Sequence, residues 1–530
     1  NFSGAIEIGF LPGVTDNVGT TARETIGDAL KRKWKDSEHV FYSRCIFVAG
    51  ALKKDEIEKR ARELYNPIIE RARVLGKSDF PSTIIVPRVH LAQHAKADTV
   101  NLDVSDEELV AIGKKGIANT DGTRRGPLAL SLSAMEAIRA YFKKQKRMPT
   151  DIEIESLAQT WSEHCKHTIF ADPLDEVHEG IYKRYIKGAT EKIREQKGKS
   201  DFCVSVFKDN SGAIVFDDDY LITHKVETHN SPSALDPFGG AITGIVGVNR
   251  DCLGFGMGAK PIANTYGFCV GDPGDTSMLY RDKEKQQPLL SSRRILEGVV
   301  KGINAGGNQS GIPTSLGFVA TDARYRGKPL VFAGTVGLIP RKIHGKKSHE
   351  KKARASDLIV VAGGRVGLDG IHGATFSSEA LASGSPATAV QIGDPITQKK
   401  MSDAIIREVR DAGLYSSITD NGAGGISCSI AEMAKECGGC VVDLEKVPLK
   451  YPGLAPWQIW ISESQERMTF AVPTAKWNAL KKIFDRHGVE ARRVGVFTEV
   501  KRCVVRDKGK TITDMEMKFL HDGRPVGMQK

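Results

Sequence analysis

The feature of this sequence that most constrains its fold is a change of pattern near residue 202. From Phe202 onward, short segments rich in β-branched and aromatic residues alternate with helix-like segments, and glycines mark the joints. Such alternation is typical of domains in which helices cover a sheet. The predicted strands are 202–207, 213–216, 221–226, 330–338 and 358–362, and the predicted helices include 240–248, 401–413, 426–435 and 477–488.

The first part of the chain has a different composition and predicts a small α+β domain. Residues 4–10 and 43–51 have the alternation of strands, with a helix around Ile26 between them. Apolar residues at near-helical spacing predict one further helix over 55–75, interrupted at Pro67. Because 530 residues exceed the size of a single core, we expect several domains.

Two capping boxes predict successive helices between these regions. They are Ser133-Ala-Met-Glu136 and Thr150-Asp-Ile-Glu153. The second helix has an apolar stripe that reaches Trp161, and His164 follows close to that stripe. We therefore expect His164 to point inward.

Charge and cysteine content limit the classes of partner. The formal net charge is +11, but Lys and Arg are scattered except for a run at 342–354, which we interpret as a solvated interdomain loop. No nucleic-acid motif accompanies them, and no apolar stretch approaches membrane-spanning length, so we expect neither nucleic acid nor a membrane as partner. Nine irregularly spaced cysteines predict reduced thiols and a cytoplasmic protein, with Cys437 and Cys440 in a structural role.

The densest group of chemically active residues is the segment Lys225–Ser233, which reads KVETHNSPS at the end of a predicted strand. Phosphoryl transfer needs a cation beside phosphate, a carboxylate for Mg²⁺ and a proton carrier. Lys225, Glu227 and His229 would supply one of each. A polar strand end without catalytic function is the alternative interpretation.

Two further segments suit an anion or a metal ion. Arg250-Asp251 follows a predicted helix, and Asp420 opens the run DNGAGG ahead of another. Glycines let backbone amides approach an anion, and a neighbouring carboxylate suits magnesium, although either Asp has a commoner role in turns or caps. The segment Gly363–Gly370 is a second candidate anion cradle.

Taken together, five motifs closely resemble the phosphoribosylformylglycinamidine synthase family of the aminoimidazole-ribonucleotide-synthetase-like superfamily, in order and in spacing. The motifs are WSEHCKH at 161–167, ETHN at 227–230, QIGDP at 391–395, DNGAGG at 420–425 and ESQ at 463–465. The resemblance covers essentially the whole chain. It implies a small-subunit-like α+β domain at 1–125, a helical linker at 126–200, an N-domain with a mixed sheet forming half of a dimer barrel at 201–345, an α/β C-domain at 356–510 and the start of a junction at 511–530.

The activity implied by this resemblance is a ligase reaction of purine biosynthesis that requires ATP and Mg²⁺. ATP would phosphorylate the amide oxygen of formylglycinamide ribonucleotide, and ammonia would displace the phosphate to give formylglycinamidine ribonucleotide. His229 would be the proton acceptor and His164 would stabilise developing charge.

The resemblance also implies ligand contacts. The metal ligands would be Glu227, Asp251 and Asp420; the ATP contacts His167 and Lys225; and the substrate contacts Thr228, His229, Asn230, Ser231, Arg250, Gln391, Glu463, Ser464 and Gln465. Ser231 stands where family members usually have His, and Leu368 where Arg is frequent.

The resemblance also implies partner chains, because this chain matches only part of a complete synthase. A complete synthase has two N-plus-C pairs, so we expect a second half or a homodimer to supply the rest, and a glutaminase subunit to supply ammonia. One alternative is a non-catalytic nucleotide-binding scaffold that docks a glutaminase or a second synthetase half. Another is a superfamily enzyme acting on thiamine phosphate or selenide, for which the Ser162–Cys165 motif is not expected.

Overall fold

The chain forms two compact units, residues 1–92 and residues 93–530. The computed structural model describes residues 2–35, 38–76, 79, 85–91, 96–119, 121–377 and 391–529. The mixed α and β class predicted from the sequence is confirmed. No helix among these residues is both long and apolar enough to span a bilayer.

The first unit is a three-stranded antiparallel sheet with two helices. Its elements are β1 (Gly4–Phe10), α1 (Asn17–Ala29), β2 (Ser43–Val48), α2 (Lys54–Leu64) and β3 (Glu70–Gly76). β1 is the central strand, paired with β2 on one side and β3 on the other. Its residues Ile6 and Ile8 pack against Ile57 and Ala61 of α2, which forms the core of this unit.

The predicted helix over 55–75 is wrong in its second half. α2 ends at Leu64, and β3 pairs with β1 along its full length, from Gly4 opposite Gly76 to Phe10 opposite Glu70. Pro67 cannot donate a helical hydrogen bond, so it separates the two elements. The spacing of apolar residues beyond it fits a helix, but the open edge of β1 satisfies the backbone of a strand.

The next region is helical. It contains α3 (Asp106–Lys115), α4 (Leu132–Lys144), α5 (Asp151–Thr160), α6 (Glu163–Lys166), α7 (Thr168–Ala171) and α8 (Gly188–Lys197), with a π-helical turn at Tyr182–Lys187. The capping box at Thr150 and Glu153 is confirmed. The other helix starts two residues earlier than predicted, because Ser131 accepts the hydrogen bond from the Ala134 backbone N–H at 3.2 Å.

His164 does not continue the stripe of α5, because a separate short helix carries it. Every residue of α5 is buried, so this helix crosses the interior instead of presenting one apolar stripe. It ends at Thr160, and Ser162 caps a separate short helix, α6, on which His164 keeps part of its surface exposed.

A six-stranded mixed sheet follows. Its elements are β4 (Cys203–Ser205), β5 (Gly212–Val215), β6 (Tyr220–Thr228), α9 (Asn230–Leu235), α10 (Pro237–Gly254), β7 (Lys260–Val270), α11 (Ser292–Ser310), β8 (Thr314–Thr321) and β9 (Leu330–Pro340). The strand order is β4-β5-β6-β9-β7-β8, with only β7 and β8 parallel among its named pairs. Residues of α10 and α11 pack on one face, around Ile245, Val299 and Phe268.

The last region is built on a seven-stranded sheet. Its elements are β10 (Lys342–Ile343), β11 (Lys346–Lys347), β12 (Leu358–Gly363), α12 (Gly373–Ser377), α13 (Pro395–Ala404), β13 (Ser417–Asp420), α14 (Gly425–Lys435), β14 (Gly439–Asp443), α15 (Pro456–Ile461), β15 (Arg467–Val472), α16 (Trp477–Arg486), β16 (Ala491–Thr498), β17 (Arg502–Asp507), β18 (Lys510–Glu516) and α17 (Met517–Asp522). The strand order is β13-β15-β12-β16-β14-β17-β18. A π-helical segment, Ile405–Val409, extends α13.

The basic run at 342–354 is not the solvated loop that we predicted. Lys351 pairs with Asp209 at 2.6 Å and donates to the carbonyl oxygen of Ile418 at 2.9 Å. Ser348 and Ala353 are fully buried. The two ends of the run therefore differ, with an exposed hairpin first and a buried connection after it.

The cysteines agree with the predicted reduced state, since all nine are free. Cys437 and Cys440 connect the end of α14 to β14, as the sequence indicated. The Sγ atom of Cys440 lies 3.7 Å from that of Cys503 on the neighbouring strand, and both thiols are buried.

Candidate functional site

A cavity of about 1000 Å³ lies within the second unit, where the end of β6 meets α6, α10, the end of β13 and the start of α14. Twelve of the site residues predicted from the sequence line it. They are His164, His167, Lys225, Glu227, Thr228, His229, Arg250, Asp251, Gln391, Asp420, Glu463 and Gln465. Asn230, Ser231 and Ser464, also predicted, are not among the residues lining it.

Backbone pairing explains why His229 enters the cavity. β6 pairs with β9 up to Thr228 opposite Phe332. Directly after it, the His229 N–H donates to the Val331 carbonyl at 2.8 Å, and Asn230 Oδ1 accepts from the Val331 N–H at 2.9 Å. Asn230 therefore fixes the turn that positions His229.

The imidazole of His229 is suited to accept a proton. Its Nδ1 is buried and has no hydrogen-bond partner among the described residues. Burial lowers the pKa of His229 to about 4, against a smaller opposing effect of its hydrogen bond with the Gly240 backbone. The ring is therefore neutral at pH 7, with one nitrogen available as an acceptor.

His164 and His167 lie on a turn that Glu163 holds in shape. The Glu163 carboxylate accepts from the backbone N–H groups of Thr168 at 3.0 Å and Ile169 at 3.1 Å, which caps α7. His167 has the left-handed backbone, with φ of 52°, that lets α6 end and α7 begin. Desolvation lowers the pKa of His164, and the charges of His167 and Lys225 lower it further.

Three carboxylates meet at the end of β6. Lys225 Nζ lies 3.2 Å from an oxygen of Glu227 and 3.2 Å from an oxygen of Asp251. Asn210 Nδ2 donates to Asp251 at 3.1 Å and to Asp420 at 2.7 Å. Lys225 and Asn210 thus hold together an acidic cluster whose charges would otherwise repel one another.

Burial and mutual repulsion shift the pKa values of this cluster. Burial, followed by repulsion from Glu227, raises the pKa of Asp251 to about 7. Burial and the charge of Asp251 raise the pKa of Asp420 to about 6. Burial opposes protonation of Lys225, but Asp251 and Glu227 outweigh it and raise its pKa.

Carboxylate oxygens are the ligands that Mg²⁺ prefers, so these residue types fit the predicted metal. In the part of the chain that the structure describes, however, no three His, Cys, Asp or Glu side chains are arranged to hold a metal ion. Lys225 lies between two of the acids. Mg²⁺ commonly binds one or two carboxylates together with phosphate oxygens and water, which does not require a complete protein cage.

Arg250 is the second cationic group of the cavity. Its side chain is buried, and its Nε and Nη1 atoms have no hydrogen-bond partner among the described residues. The nearest carboxylate oxygen, on Asp420, is 3.9 Å from Nε. A buried guanidinium with free donors is a ready site for an anion such as phosphate or carboxylate.

Glu463, which also lines the cavity, is fixed by hydrogen bonds. One carboxylate oxygen accepts from the Ala374 and Gly424 N–H groups, both at 3.1 Å, and the other accepts from Gln391 Nε2 at 2.6 Å. Burial raises the pKa of Glu463 to about 7 despite these bonds. Gln465 in turn donates to Gln391 Oε1, so the three side chains form one network.

The loop after Asp420 approaches this network closely. Gly425 has φ of +58°, and a Cβ at this position would lie 2.0 Å from the Ser462 carbonyl oxygen. Only glycine tolerates both conditions. The predicted glycine-rich loop is therefore needed to place Asp420 and Glu463 in the same cavity.

The segment Gly363–Gly370 is not the anion cradle that we predicted. The Gly364 N–H donates to the Glu466 carbonyl, the Gly367 N–H to Ser464 Oγ, and the Leu368 N–H to the Tyr451 hydroxyl. These amides are satisfied within the protein, so they are not available to a ligand. Ser464, which also donates to Asp369 at 2.8 Å, has a structural role here.

A segment near the end of the sequence holds the turn that bears His164. Lys166 Nζ donates to the His521 carbonyl at 2.6 Å, and the Trp161 indole donates to the Leu520 carbonyl at 2.8 Å. The buried carboxylate of Asp172 pairs with Arg524. Nothing in the sequence of residues 517–529 indicated this contact.

Arg524→Ala is therefore expected to loosen the His164 turn. The change leaves Asp172 buried without its partner, at a cost of about 1–3 kcal/mol. Amide hydrogen exchange over 161–172 should become about 10- to 100-fold faster, as measured by mass spectrometry. Arg184→Ala, which removes an exposed ion pair with Glu179 in the same region, is the control and should change little. Equal exchange in both variants would contradict the assignment.

The buried acids also predict how stability depends on pH. Burial, followed by the charge of Asp394, raises the pKa of Glu466 to about 8, well above the value of a glutamate in the unfolded chain. The native state then binds more protons than the unfolded state between about pH 4.5 and 8, so this group makes stability fall as the pH rises.

Glu466→Gln should remove this contribution, because the amide has the same shape and cannot ionise. The free energy of unfolding of the variant should exceed that of the wild type at pH 8 by a few kcal/mol, and the difference should vanish near pH 4.5. Urea denaturation at both pH values measures it. A difference that does not change with pH would show that Glu466 does not titrate as described.

Comparisons with known proteins agree with this geometry. Residues 208–339 match the N-terminal domain of AIR synthase related proteins and residues 354–508 match their C-terminal domain. Residues 121–167 match the formylglycinamide ribonucleotide amidotransferase linker domain.

Curated relatives carry the name phosphoribosylformylglycinamidine synthase subunit PurL. The protein from Thermoplasma volcanium is 36% identical over 428 residues, which cover 80% of this chain and 51% of that protein. The protein from Methanothermobacter marburgensis is 37% identical over 399 residues, covering 74% and 50%. The chain thus spans about half the length of the curated relatives it matches.

Solved structures give the same result. PurL of Thermotoga maritima complexed with FGAR superimposes with a TM-score of 0.59 and 28% identity, covering 73% of this chain and 56% of that one. The complex of the same protein with ATP gives a TM-score of 0.55, with 27% identity and coverage of 73% and 55%. With two AIR synthase related domains behind an amidotransferase linker, the chain belongs to the PurL family of phosphoribosylformylglycinamidine synthases.

Proposed function

We propose that this chain contributes the site at which formylglycinamide ribonucleotide is converted, with ATP and ammonia, into formylglycinamidine ribonucleotide in purine biosynthesis. The observation that most supports the proposal is the composition of the cavity. A neutral histidine with a free nitrogen, a buried arginine with free donors and three clustered carboxylates lie in one space of about 1000 Å³. PurL structures complexed with FGAR and with ATP are similar to this chain.

The reaction has two steps. The amide oxygen of the substrate attacks the terminal phosphorus of ATP, and ADP leaves. Ammonia then adds to the activated carbon, orthophosphate leaves with the former amide oxygen, and the new nitrogen loses a proton. His229 accepts that proton at Nδ1, since its imidazole is neutral and unpaired.

The other residues act by positioning and by neutralising charge, as phosphoryl transfer requires. Arg250 binds an anionic group of the substrate. Lys225 and His167 contact ATP phosphates, and His164 stabilises charge that develops on the transferred group. Bound Mg²⁺ would neutralise phosphate charge, and Glu227, Asp251 and Asp420 would hold it.

The hydrogen-bonded network around Glu463 binds the remainder of the substrate. Glu463, Gln391 and Gln465 are linked by hydrogen bonds and line the cavity together, and Thr228 lines it as well. Ser464 is bonded to Gly367 and Asp369, Asn230 fixes the His229 turn, and Ser231 is buried directly after that turn. We infer that these three residues shape the substrate site without lining it.

A partner chain fits the exposed face of the six-stranded sheet. Every residue of β8 is exposed, including Leu316, Phe318 and Val319, and Val226 on β6 is exposed as well. An apolar face and an open edge of this kind favour association. We propose that a second synthetase-like half or a second copy covers it, while a glutaminase subunit supplies ammonia. A mass of one chain in light scattering at micromolar concentration would contradict this.

The test of the activity is release of orthophosphate by the purified chain with formylglycinamide ribonucleotide, ATP, Mg²⁺ and a high concentration of ammonium. Ammonium replaces the glutaminase. Phosphate release that requires the ribonucleotide supports the proposal. No release together with no ribonucleotide binding by calorimetry would contradict it.

A scaffold that binds nucleotide without turnover is the second candidate. Lys225 occupies the position between Glu227 and Asp251 where a cation would bind, and the chain spans half the length of its relatives. Binding of ATP in the absence of any ribonucleotide-dependent phosphate release would favour this alternative.

A further inference from the structure

A second cleft lies on the other side of α10, between this helix, the end of α11 and α13. Its volume is about 290 Å³. Asn249 of α10 lines it, whereas the next two residues, Arg250 and Asp251, line the main cavity. The two spaces therefore lie against different faces of α10, and Pro395 is the one residue of the five motifs that lines the cleft.

Asn249 offers the cleft a fixed hydrogen-bond donor. Asn264 Nδ2 donates to the Gly334 carbonyl at 3.2 Å, which defines the orientation of that amide, and it also donates to Asn249 Oδ1 at 2.9 Å. The Thr335 hydroxyl donates to the same oxygen at 2.7 Å. The Nδ2 atom of Asn249 is then left without a partner among the described residues, although this side chain is only 2% exposed.

Gln398 offers a fixed acceptor. Its Nε2 donates to the Val246 carbonyl at 3.0 Å, so its Oε1 is the atom that remains. That oxygen is buried and has no partner in the described part of the chain, and the residue is 4% exposed. Buried polar groups are normally satisfied, so a donor and an acceptor left open in one cleft indicate a ligand that provides both functions.

The positive charge of the cleft favours binding of an anion. Lys260, Lys399 and Arg407 line it against a single acid, Asp403. Asp403 is already paired with Lys399, at 2.6 Å, and lies 3.9 Å from Arg407 Nε, whereas Lys260 makes no ion pair with the described residues. Ser310 and Ser402 add hydroxyl groups to the lining.

We propose that this cleft binds orthophosphate. Near neutral pH the ion retains at least one P–OH, which can donate to Gln398 Oε1, and its other oxygens can accept from Asn249 Nδ2 and pair with Lys260 and Arg407. Sulfate and the dianion of a phosphate monoester have the same size of head group and charge but no O–H on it, so they leave the Gln398 acceptor unsatisfied. Occupancy would brace the part of α10 that bears Arg250 and Asp251.

The experiment is isothermal titration calorimetry of the full chain with sodium phosphate, sodium sulfate and ribose 5-phosphate at pH 8 and constant ionic strength. Because Arg250 can also bind anions, the site is identified by variants. In Lys260→Ala, an exposed position outside the main cavity, the phosphate Kd of the cleft should rise about tenfold. In Gln398→Leu, the preference for phosphate over sulfate, expected to be at least about tenfold, should disappear.

Three results would overturn the proposal. One is that sulfate binds as tightly as phosphate to the wild type, which would indicate a basic surface without the acceptor. Another is tighter binding of ribose 5-phosphate than of phosphate, which would assign the site to a monoester. The third is that phosphate binding is unchanged in both variants, which would place all of it in the main cavity. Arg493→Ala, a distant basic position on β16, is the matched control for loss of positive charge.

Discussion

The His229→Ala variant is expected to retain the fold and ribonucleotide binding but to lose about 10²- to 10⁴-fold in the rate of ribonucleotide-dependent phosphate release. The imidazole has an unpaired acceptor nitrogen and a pKa near 4. Alanine removes this proton acceptor, and water in the space left behind does not replace it as a base. Fold retention is expected because the backbone of His229, not its ring, pairs with Val331.

Two controls separate catalysis from structure. His178→Ala removes an exposed histidine outside the cavity and should leave the rate unchanged. The wild-type rate should also show no inflection from His229 between pH 5 and pH 8, since the pKa of about 4 keeps its ring neutral there. If His229→Ala retains the full rate while the wild type is active, another group takes the proton.

The chemical core of the site could be predicted from the sequence because each motif stands at an element boundary. Lys225 and Glu227 end β6, Asp420 ends β13, and the glycine run precedes α14. Strand ends and helix starts project side chains from the scaffold, so residues nearly 200 positions apart can share one cavity. The structure brings Lys225, Glu227 and Asp420 into one cavity, where Asp251 contacts Lys225 and Asn210 bridges Asp251 and Asp420.

Residues whose role depends on buried contacts with distant parts of the chain could not be predicted from motifs. Asn210 lies in an ordinary polar turn, and its role as the bridge between Asp251 and Asp420 depends on contacts 41 and 210 positions away. Arg524 and Asp172 are similarly ordinary in sequence, yet they pair across 352 positions. The wrong prediction of a helix over residues 70–75 has the same origin. This segment forms β3 because it pairs with β1, a contact that is distant in sequence.

Arg467 is the clearest case of a residue that the sequence does not reveal. It stands two positions after the ESQ motif, at the start of β15, and its side chain is 0% exposed. Its Nε donates to the Ser464 carbonyl at 2.7 Å, and its Nη2 donates to the Ser462 carbonyl. Burial lowers its pKa to about 10, and the charges of Asp369 and Glu466 oppose that change. The guanidinium therefore ties residues 462–464 to the start of β15 and lies within the electrostatic reach of two buried acids.

Arg467→Ala is expected to destabilise the second unit by about 3–5 kcal/mol, because the neighbouring acids and two carbonyl groups lose a buried partner. Urea denaturation at pH 7 measures the loss, and Arg492→Ala, at an exposed position of β16, should cost less than about 0.5 kcal/mol. The loss should grow between pH 7 and pH 9, since Glu466, whose pKa is about 8, gives up its proton over this range and then carries the charge that Arg467 balances in the native state. A destabilisation equal to that of Arg492→Ala would mean that packing of β15, and not the buried cation, holds Ser462–Gln465 in the cavity wall.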